Sequence, residues 1–103
     1  MFKELDPLLH SELRLGIMSI LISVEEADFV YLKEEIKATS GNLSVQIDKL
    51  EKAGYIKVKK TFKGKMPRTI CKITQKGINA FEKYVEALRS YIGEKGGGSK
   101  TWL

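Results

Sequence analysis

The feature that most limits the fold of this chain is a change of hydrophobic period at Gly54. Before it, three apolar residues recur at intervals of four and three, as on one face of a helix: Leu43, Ile47 and Leu50. After it, apolar residues alternate with lysines over 56–59, as in a half-buried strand. Gly54 suits a helix end because glycine adopts left-handed backbone angles without steric cost. The pattern predicts a turn, a short helix over 42–53 and then a strand.

The outward face of this helix is small, polar and weakly basic. Its side chains are Asn42, Ser44, Val45, Gln46, Lys49 and Lys52. Such side chains suit a helix that enters the major groove of DNA and touches base edges. An ordinary amphipathic helix with a solvated face has the same pattern, so the helix alone does not separate the two interpretations. Ser40 is the predicted cap, since its hydroxyl can accept a bond from a free backbone N–H.

Positive charge is concentrated in one segment of the sequence. The chain of 103 residues has a formal net charge of +5. Residues 1–51 carry five basic and ten acidic side chains, whereas residues 52–81 carry nine basic and no acidic ones. This imbalance indicates a polyanionic partner. A lysine-rich solvated surface is the alternative, but such a surface does not require the absence of acidic neighbours.

The N-terminal half is predicted to contain two further helices. Asp6–Pro7 is a helix-start pattern, and 8–22 reads as helix with a break near His10–Ser11. Because that helix is apolar on more than one side, we expect it to face both the core and a second molecule. Residues 23–28 are predicted to be an acidic turn and 29–38 a short helix. The helix over 29–38 and the helix over 42–53, joined by a short turn, make a helix-turn-helix.

The C-terminal half is predicted to form a β-hairpin and a last helix. Strands over 55–62 and 68–74 flank a turn-forming stretch with glycine and proline at 63–67. Thr74 is the predicted cap of the last helix, whose apolar residues follow a heptad-type seam: Ile78, Phe81, Val85, Leu88 and Ile92. The seam is too short for a free coiled coil, so we expect it to work with the first helix. Residues 93–103 are glycine-rich and predicted to be a flexible tail.

Composition disfavours several classes of function. Hydrophobic residues make up 43% and charged residues 30% of the chain, as in ordinary globular domains. No apolar run is long enough to span a bilayer and the N-terminus lacks a signal-peptide pattern, so we expect no membrane association and a cytoplasmic location. One cysteine and one histidine cannot build a metal-sensing cluster of Cys and His ligands. No nucleophile–base pair or phosphate-binding loop is present, and we expect no cofactor and no enzymatic activity.

Several short motifs carry a resemblance to a known family. The most specific are Leu-Glu-Lys-Ala-Gly-Tyr-Ile at 50–56 and, at the right separation, Pro-Arg-Thr at 67–69 with Ile-Thr-Gln-Lys-Gly at 73–77. Over about residues 5–92 the chain resembles the small winged-helix transcription regulators of bacteria and archaea, within the broad MarR and ArsR group. The fold class implied is mainly α with a β-hairpin wing: a winged helix-turn-helix with a three-helix core and a C-terminal dimerisation helix.

The resemblance implies a sequence-specific DNA-binding domain over 1–92 that binds a palindromic operator in double-stranded DNA as a homodimer. We expect a repressor, although the sequence leaves activation open. One helix would lie in the major groove and the basic wing on the backbone or minor groove. The implied DNA contacts are Ser40, Asn42, Ser44, Val45, Gln46, Lys49, Lys63, Lys65, Arg68 and Thr69. The predicted dimer interface consists of Leu15, Met18, Ile22, Tyr84, Val85, Leu88, Tyr91 and Ile92.

Two positions of the DNA-facing helix depart from the family pattern. Such helices often place a basic residue and a histidine after the serine, where this chain has Val45 and Gln46. Gln46 is suited to pair bidentately with adenine and Val45 to contact a thymine methyl, which implies a different operator. The alternative function is a protein-interaction module without DNA specificity, which would not need the basic segment 52–81. A small-molecule effector stays open, and no residue marks a site for it.

Overall fold

The computed structural model describes residues 2–93, which contain four α-helices and a three-stranded antiparallel sheet. In chain order the elements are α1 (Glu12–Val24), β1 (Glu26–Asp28), α2 (Phe29–Ile36), α3 (Ser40–Lys52), β2 (Ile56–Lys63), β3 (Met66–Ile73) and α4 (Gln75–Tyr91). The strand order in the sheet is β1–β3–β2. This arrangement confirms the predicted winged helix-turn-helix. Apart from Gly93, the predicted flexible tail lies outside the described residues.

The start of the first helix differs from the prediction, although the predicted break is confirmed. Asp6 caps a separate short turn, because its Oδ1 accepts the Leu8 N–H at 3.0 Å. The helix itself begins at Glu12, where the Ser11 side chain accepts from the Arg14 N–H. The helix-start pattern at Asp6–Pro7 therefore marks a short turn, and α1 begins only at Glu12.

The predicted cap of α3 is shifted by one residue. Thr39 Oγ1 accepts the Asn42 N–H at 3.1 Å, so Thr39 is the cap and Ser40 is the first helical residue. At the other end of the helix, Gly54 has the positive φ of 81° expected for a residue that ends a helix.

The acidic turn predicted at 23–28 is wrong over Glu26–Asp28, which form β1. This strand pairs antiparallel with β3, with Ala27 opposite Cys71. Two acidic residues around one alanine carry no strand pattern. The strand exists because β3 offers it an unpaired edge, which is a tertiary effect.

The core lies between the helices and one face of the sheet. It includes the predicted inward face of α3, and its fully buried side chains are Leu9, Ile17, Met18, Leu21, Leu32, Leu43, Leu50, Ile56 and Cys71. Full burial of one leucine contributes about 1.5–3 kcal/mol relative to exposure. Leu43, Ile47 and Leu50 are all buried, so they fix the rotation of α3 about its axis and leave its polar face outward.

The last helix buries a stripe that overlaps the predicted seam only at its start, where Ile78 and Phe81 pack against the core. Gly77, Tyr84 and Ala87 face the core, whereas Leu88 is 38% and Ile92 60% exposed. Two other residues of the predicted dimer interface lie inside the chain. Met18 and Tyr84 are buried in the chain's own core, where a partner cannot contact them.

Candidate nucleic-acid interface

The polar face of α3 forms a continuous outward surface. Ser40, Asn42, Ser44, Val45 and Lys49 are exposed and Gln46 is half-buried. These are the six residues of α3 predicted to contact DNA. They point outward because the opposite face of the same helix is buried in the core through Leu43, Ile47 and Leu50.

A chain of hydrogen bonds connects this face with α1. Gln46 Nε2 donates to Asn42 Oδ1 at 3.0 Å, and Arg14 Nη1 donates to Gln46 Oε1. Arg14 Nε also donates to the carbonyl oxygen of Leu8, in the turn before α1. Arg14 was missing from the predicted site because α1 and α3 meet only in the folded chain, so no local pattern joins residues 14 and 46.

The wing (β2, β3 and the turn between them) presents its tip to solvent. Lys63 pairs with Met66 across the turn, and Gly64 supplies the positive φ of 65° that the turn requires. Lys63 and Lys65, both predicted contacts, are exposed. So are Phe62 and Met66, at 69% each, the highest exposure of any large hydrophobic side chain in the described chain.

The predicted contact Arg68 is held in place by an acidic residue. Arg68 Nε lies 3.3 Å from Asp28 Oδ2, and Asp28 Oδ1 caps α2 by accepting the Tyr31 N–H at 2.8 Å. An ion pair as exposed as this one stabilises by at most about 1 kcal/mol. Its structural effect is to tie the wing to the start of the helix-turn-helix.

A groove between α3 and the sheet brings two parts of the predicted site together. Its volume is about 430 Å³, and its walls include Ser40 and Ser44 of α3 and Lys60 and Thr69 of the wing. Asp48 and Glu51 also line it. The two predicted DNA-contacting elements are therefore neighbours on one side of the molecule.

The basic segment is divided between two surfaces, which the sequence did not predict. The side chains of Lys57, Lys59 and Lys72 are exposed and alternate with buried or half-buried residues, so they point away from the helices. Lys57 lies directly opposite Lys72, and Glu26 lies on the other side of Lys72. Only part of the positive charge is therefore near the exposed face of α3 and the wing tip.

Two residues with raised pKa values, Cys71 and Tyr55, have a structural role. Burial raises the pKa of the Cys71 thiol to about 11, and the nearby Glu51 adds to the effect. Burial and the hydrogen bond to Asp6 raise the pKa of Tyr55 to about 12. Both groups are protonated at neutral pH, so Cys71 is not a thiolate nucleophile.

The single histidine has a structural contact. His10 Nδ1 is hydrogen-bonded to Tyr84 Oη at 2.9 Å, which fastens the turn before α1 to α4. Among residues 2–93 no group of three or more His, Cys, Asp or Glu side chains could hold a metal ion. None of the helices in that range is long and apolar enough to cross a membrane.

The N-terminal segment lies along α4 and forms a second groove. Phe2 stacks on Tyr91 with ring centroids 4.6 Å apart, and the Lys3 backbone N–H donates to Ser90 Oγ at 3.0 Å. The groove has a volume of about 710 Å³ and its lining mixes both charges, with Lys3, Lys83 and Glu86 among its residues. This groove is one place where a small-molecule effector could be tested for binding, and the effector stays a prediction.

Comparison with known proteins decides the family. The sequence pattern of the winged helix DNA-binding domain family matches residues 13–92, which is most of the chain and includes every helix and strand described above except Glu12, the first residue of α1. The chain belongs to this family. Four helices with a three-stranded sheet, arranged as in transcriptional regulators of known structure, agree with the assignment.

Two archaeal relatives cover most of this winged-helix protein. Uncharacterized protein MJ0432 of Methanocaldococcus jannaschii is 42% identical over 77 residues, which cover 74% of this chain and 83% of that protein. The transcriptional regulator homologue of Pyrococcus horikoshii is 30% identical, with a TM-score of 0.79 over 86% of this chain and 88% of that one.

A second similar structure is larger than the winged helix described here. The transcriptional regulator BldR from Sulfolobus solfataricus is 27% identical, with a TM-score of 0.68 over 82% of this chain and 59% of BldR.

Proposed function

We propose that this winged-helix protein is a sequence-specific repressor that binds a palindromic operator as a homodimer in the cytoplasm. The observation that carries the proposal is the exposed polar face of α3, which shares a groove with Lys60 and Thr69 of the wing. An operator occupied in this way would exclude the transcription machinery from the adjacent promoter.

The proposed position of α3 is the major groove. The exposed side chains in its first half, Asn42, Ser44 and Val45, are short, so the helix axis can approach the bases. Asn42 and Ser44 offer both donors and acceptors. Lys49 is one helical turn beyond Val45 on the same exposed face. It would contact phosphate at the groove edge. Such a contact fixes the position of the protein on the duplex but does not read the base sequence.

The proposed position of the wing tip is the backbone and minor groove. Lys63 and Lys65 supply charge for the phosphates, and Phe62 and Met66 supply apolar surface for the sugar edges. Minor-groove binding proteins often use such apolar side chains beside basic ones. Thr69 lies further along β3, toward α3, where it would contact the backbone between the two grooves.

The proposed dimer uses the apolar surface that the single chain leaves partly uncovered. On α4 and the residue that follows it, this surface includes Val85, Leu88 and Ile92, and on α1 it includes Leu15 and Ile22. Tyr91 extends it, with Phe2 stacked on its ring. A twofold axis between two α4 helices would place one α3 at each half of a palindrome.

The experiment that tests the function is light scattering of the full chain with and without random duplex DNA, at low and moderate salt. We expect a mass of twice 11.6 kDa that increases with DNA and returns to the dimer value as salt rises. Selection from a random duplex library would then yield a palindromic site. A monomer that ignores DNA at low salt would contradict the proposal.

That contrary outcome would favour the second candidate function, a protein-interaction module. The observation in its favour is the exposure of Phe62 and Met66 at the wing tip, at 69% each. Exposed apolar side chains often mark a protein contact. Loss of a protein partner in Phe62→Ala, for a chain that does not bind duplex DNA at low salt, would support this candidate.

Replacing Lys65 by alanine is expected to weaken binding to all duplexes alike. One lost phosphate contact lowers the slope of log K against log salt by about 0.9. Lys57→Ala is the matched control, because it removes the same charge from the outer face of the sheet, where it would leave the slope nearly unchanged. Equal effects of both variants would mean that only net charge matters, and a change in base preference would mean that the wing reads bases.

A further inference from the structure

We propose that Arg14 sets the base preference of α3 by fixing the orientation of the Gln46 and Asn42 side-chain amides. The inference rests on the proposed function, since it assigns a task within sequence-specific binding. The geometry that leads to it is the chain of hydrogen bonds from the Leu8 carbonyl through Arg14 and Gln46 to Asn42.

The polarity of this chain follows from the chemistry of its first member. A guanidinium group has N–H donors and no acceptor, so the Gln46 atom that faces Arg14 must be the amide oxygen. The Gln46 amide nitrogen then faces Asn42 at 3.0 Å. Because that nitrogen donates, the Asn42 atom that receives it must be Oδ1. Neither amide can be turned over without placing two donors or two acceptors together.

The unused hydrogen-bonding capacity defines what the two amides present to DNA. Gln46 retains one lone pair on Oε1 and one N–H on Nε2, which match the N6 donor and N7 acceptor of adenine in the major groove. Asn42 retains both N–H groups on Nδ2, so it offers donors to acceptors such as the O6 and N7 of guanine. The network therefore predicts that Gln46 reads adenine and that Asn42 reads an acceptor-rich edge.

The position of Arg14 favours this role over direct contact with phosphate. Its side chain is half-buried, and it is engaged on one side by the turn before α1 and on the other by Gln46. A phosphate-binding arginine needs its fork free for the bidentate geometry that phosphate prefers. Arg14 is thus a positioning residue that acts through Gln46.

The test measures base preference rather than affinity alone. The full chain, as wild type and as Arg14→Met, Gln46→Ala and the double variant, would be titrated with four duplexes. These contain the selected operator with each base in turn at the adenine position. A correctly oriented bidentate contact discriminates by about tenfold or more. We expect Arg14→Met to reduce this to about two- or threefold, and the double variant to show no further loss beyond Gln46→Ala.

Two further variants make the test independent of the stability of Arg14→Met. Arg14→Lys keeps a donor-only group, so we expect it to retain the adenine preference. Gln46→Glu keeps a partner for Arg14 but presents only acceptors, so we expect its preference to move from adenine to cytosine, whose N4 donates. Thermal melting of each variant identifies any that does not fold.

The outcomes separate this inference from the proposed function. Full adenine preference in folded Arg14→Met would overturn the inference while leaving the regulator intact. A salt slope reduced by about 0.9 with unchanged preference would also overturn it, because Arg14 would then be a phosphate contact. Wild-type protein that binds all duplexes equally, or none, would instead mean that the proposed function has failed.

Discussion

Replacing Gly77 by alanine is expected to lower the free energy of unfolding by about 3 kcal/mol, the upper end of the usual range for overpacking. A Cβ at this position would lie 2.2 Å from the Tyr55 carbonyl oxygen and 3.1 Å from Ile73 Cγ1. The carbonyl cannot easily move, because it accepts the Thr74 N–H at 3.0 Å. Gly77 is buried in the first turn of α4, so the clash has no outlet to solvent.

Urea unfolding followed by circular dichroism measures this loss. In a domain of this size it corresponds to a fall in melting temperature of about 12–24 °C. Gly41→Ala is the matched control, since a Cβ there meets nothing within 4 Å and alanine favours a helix over glycine by up to about 1 kcal/mol. Wild-type stability of Gly77→Ala would show that α4 does not pack as closely on the Tyr55 backbone as described.

The junction at Gly77 matters for function because it connects two parts of the proposed machinery. Thr74 caps α4 by accepting the Gly77 N–H at 3.0 Å, and its hydroxyl donates to the Gly54 carbonyl at 2.6 Å. Gly54 ends α3, and the next residues begin the wing. The direction in which α4 leaves the domain is therefore fixed relative to α3, and a dimer built through α4 would inherit that direction.

The elements predicted from sequence were those whose patterns are local. The helix over 42–53 and the hairpin after it each repeat their own period, and the structure has them as α3 and as β2 with β3. The strand Glu26–Asp28 could not be predicted in this way. Its three residues lack a period, and it is a strand only because β3 lies beside it in the folded chain.

The candidate site was predictable to a similar extent and for a similar reason. The exposure of Asn42, Ser44 and Val45 follows from the apolar stripe on the same helix. The contact from Arg14 to Gln46 spans 32 positions, so no short pattern contains it. Met18 and Tyr84 were misplaced because an apolar residue on a helix shows the same spacing whether it faces its own core or a partner.

Replacing Leu88 by glutamate is expected to convert the proposed dimer into a monomer and to weaken binding to a palindromic operator by about 100-fold or more. Leu88 is 38% exposed in the single chain, so a charge there leaves the core intact but cannot be buried between two α4 helices without a large desolvation penalty. A dimer binds its second half-site at an effective concentration near millimolar, and this gain of 10²–10⁴ is lost when each molecule carries one α3.

Light scattering and operator titration in parallel distinguish this mechanism from unfolding. Asn79→Glu is the matched control, because it adds the same carboxylate to an exposed, polar position of α4 and should leave both mass and affinity near wild-type values. The monomeric variant should still bind a single half-site as weakly as wild type binds it, since α3 and the wing are unchanged. A Leu88→Glu protein that remains dimeric and binds the palindrome normally would place the dimer contact elsewhere on the molecule. Equal losses on half-site and palindrome would instead show that α4 supports the DNA-binding surface directly, without a twofold partner.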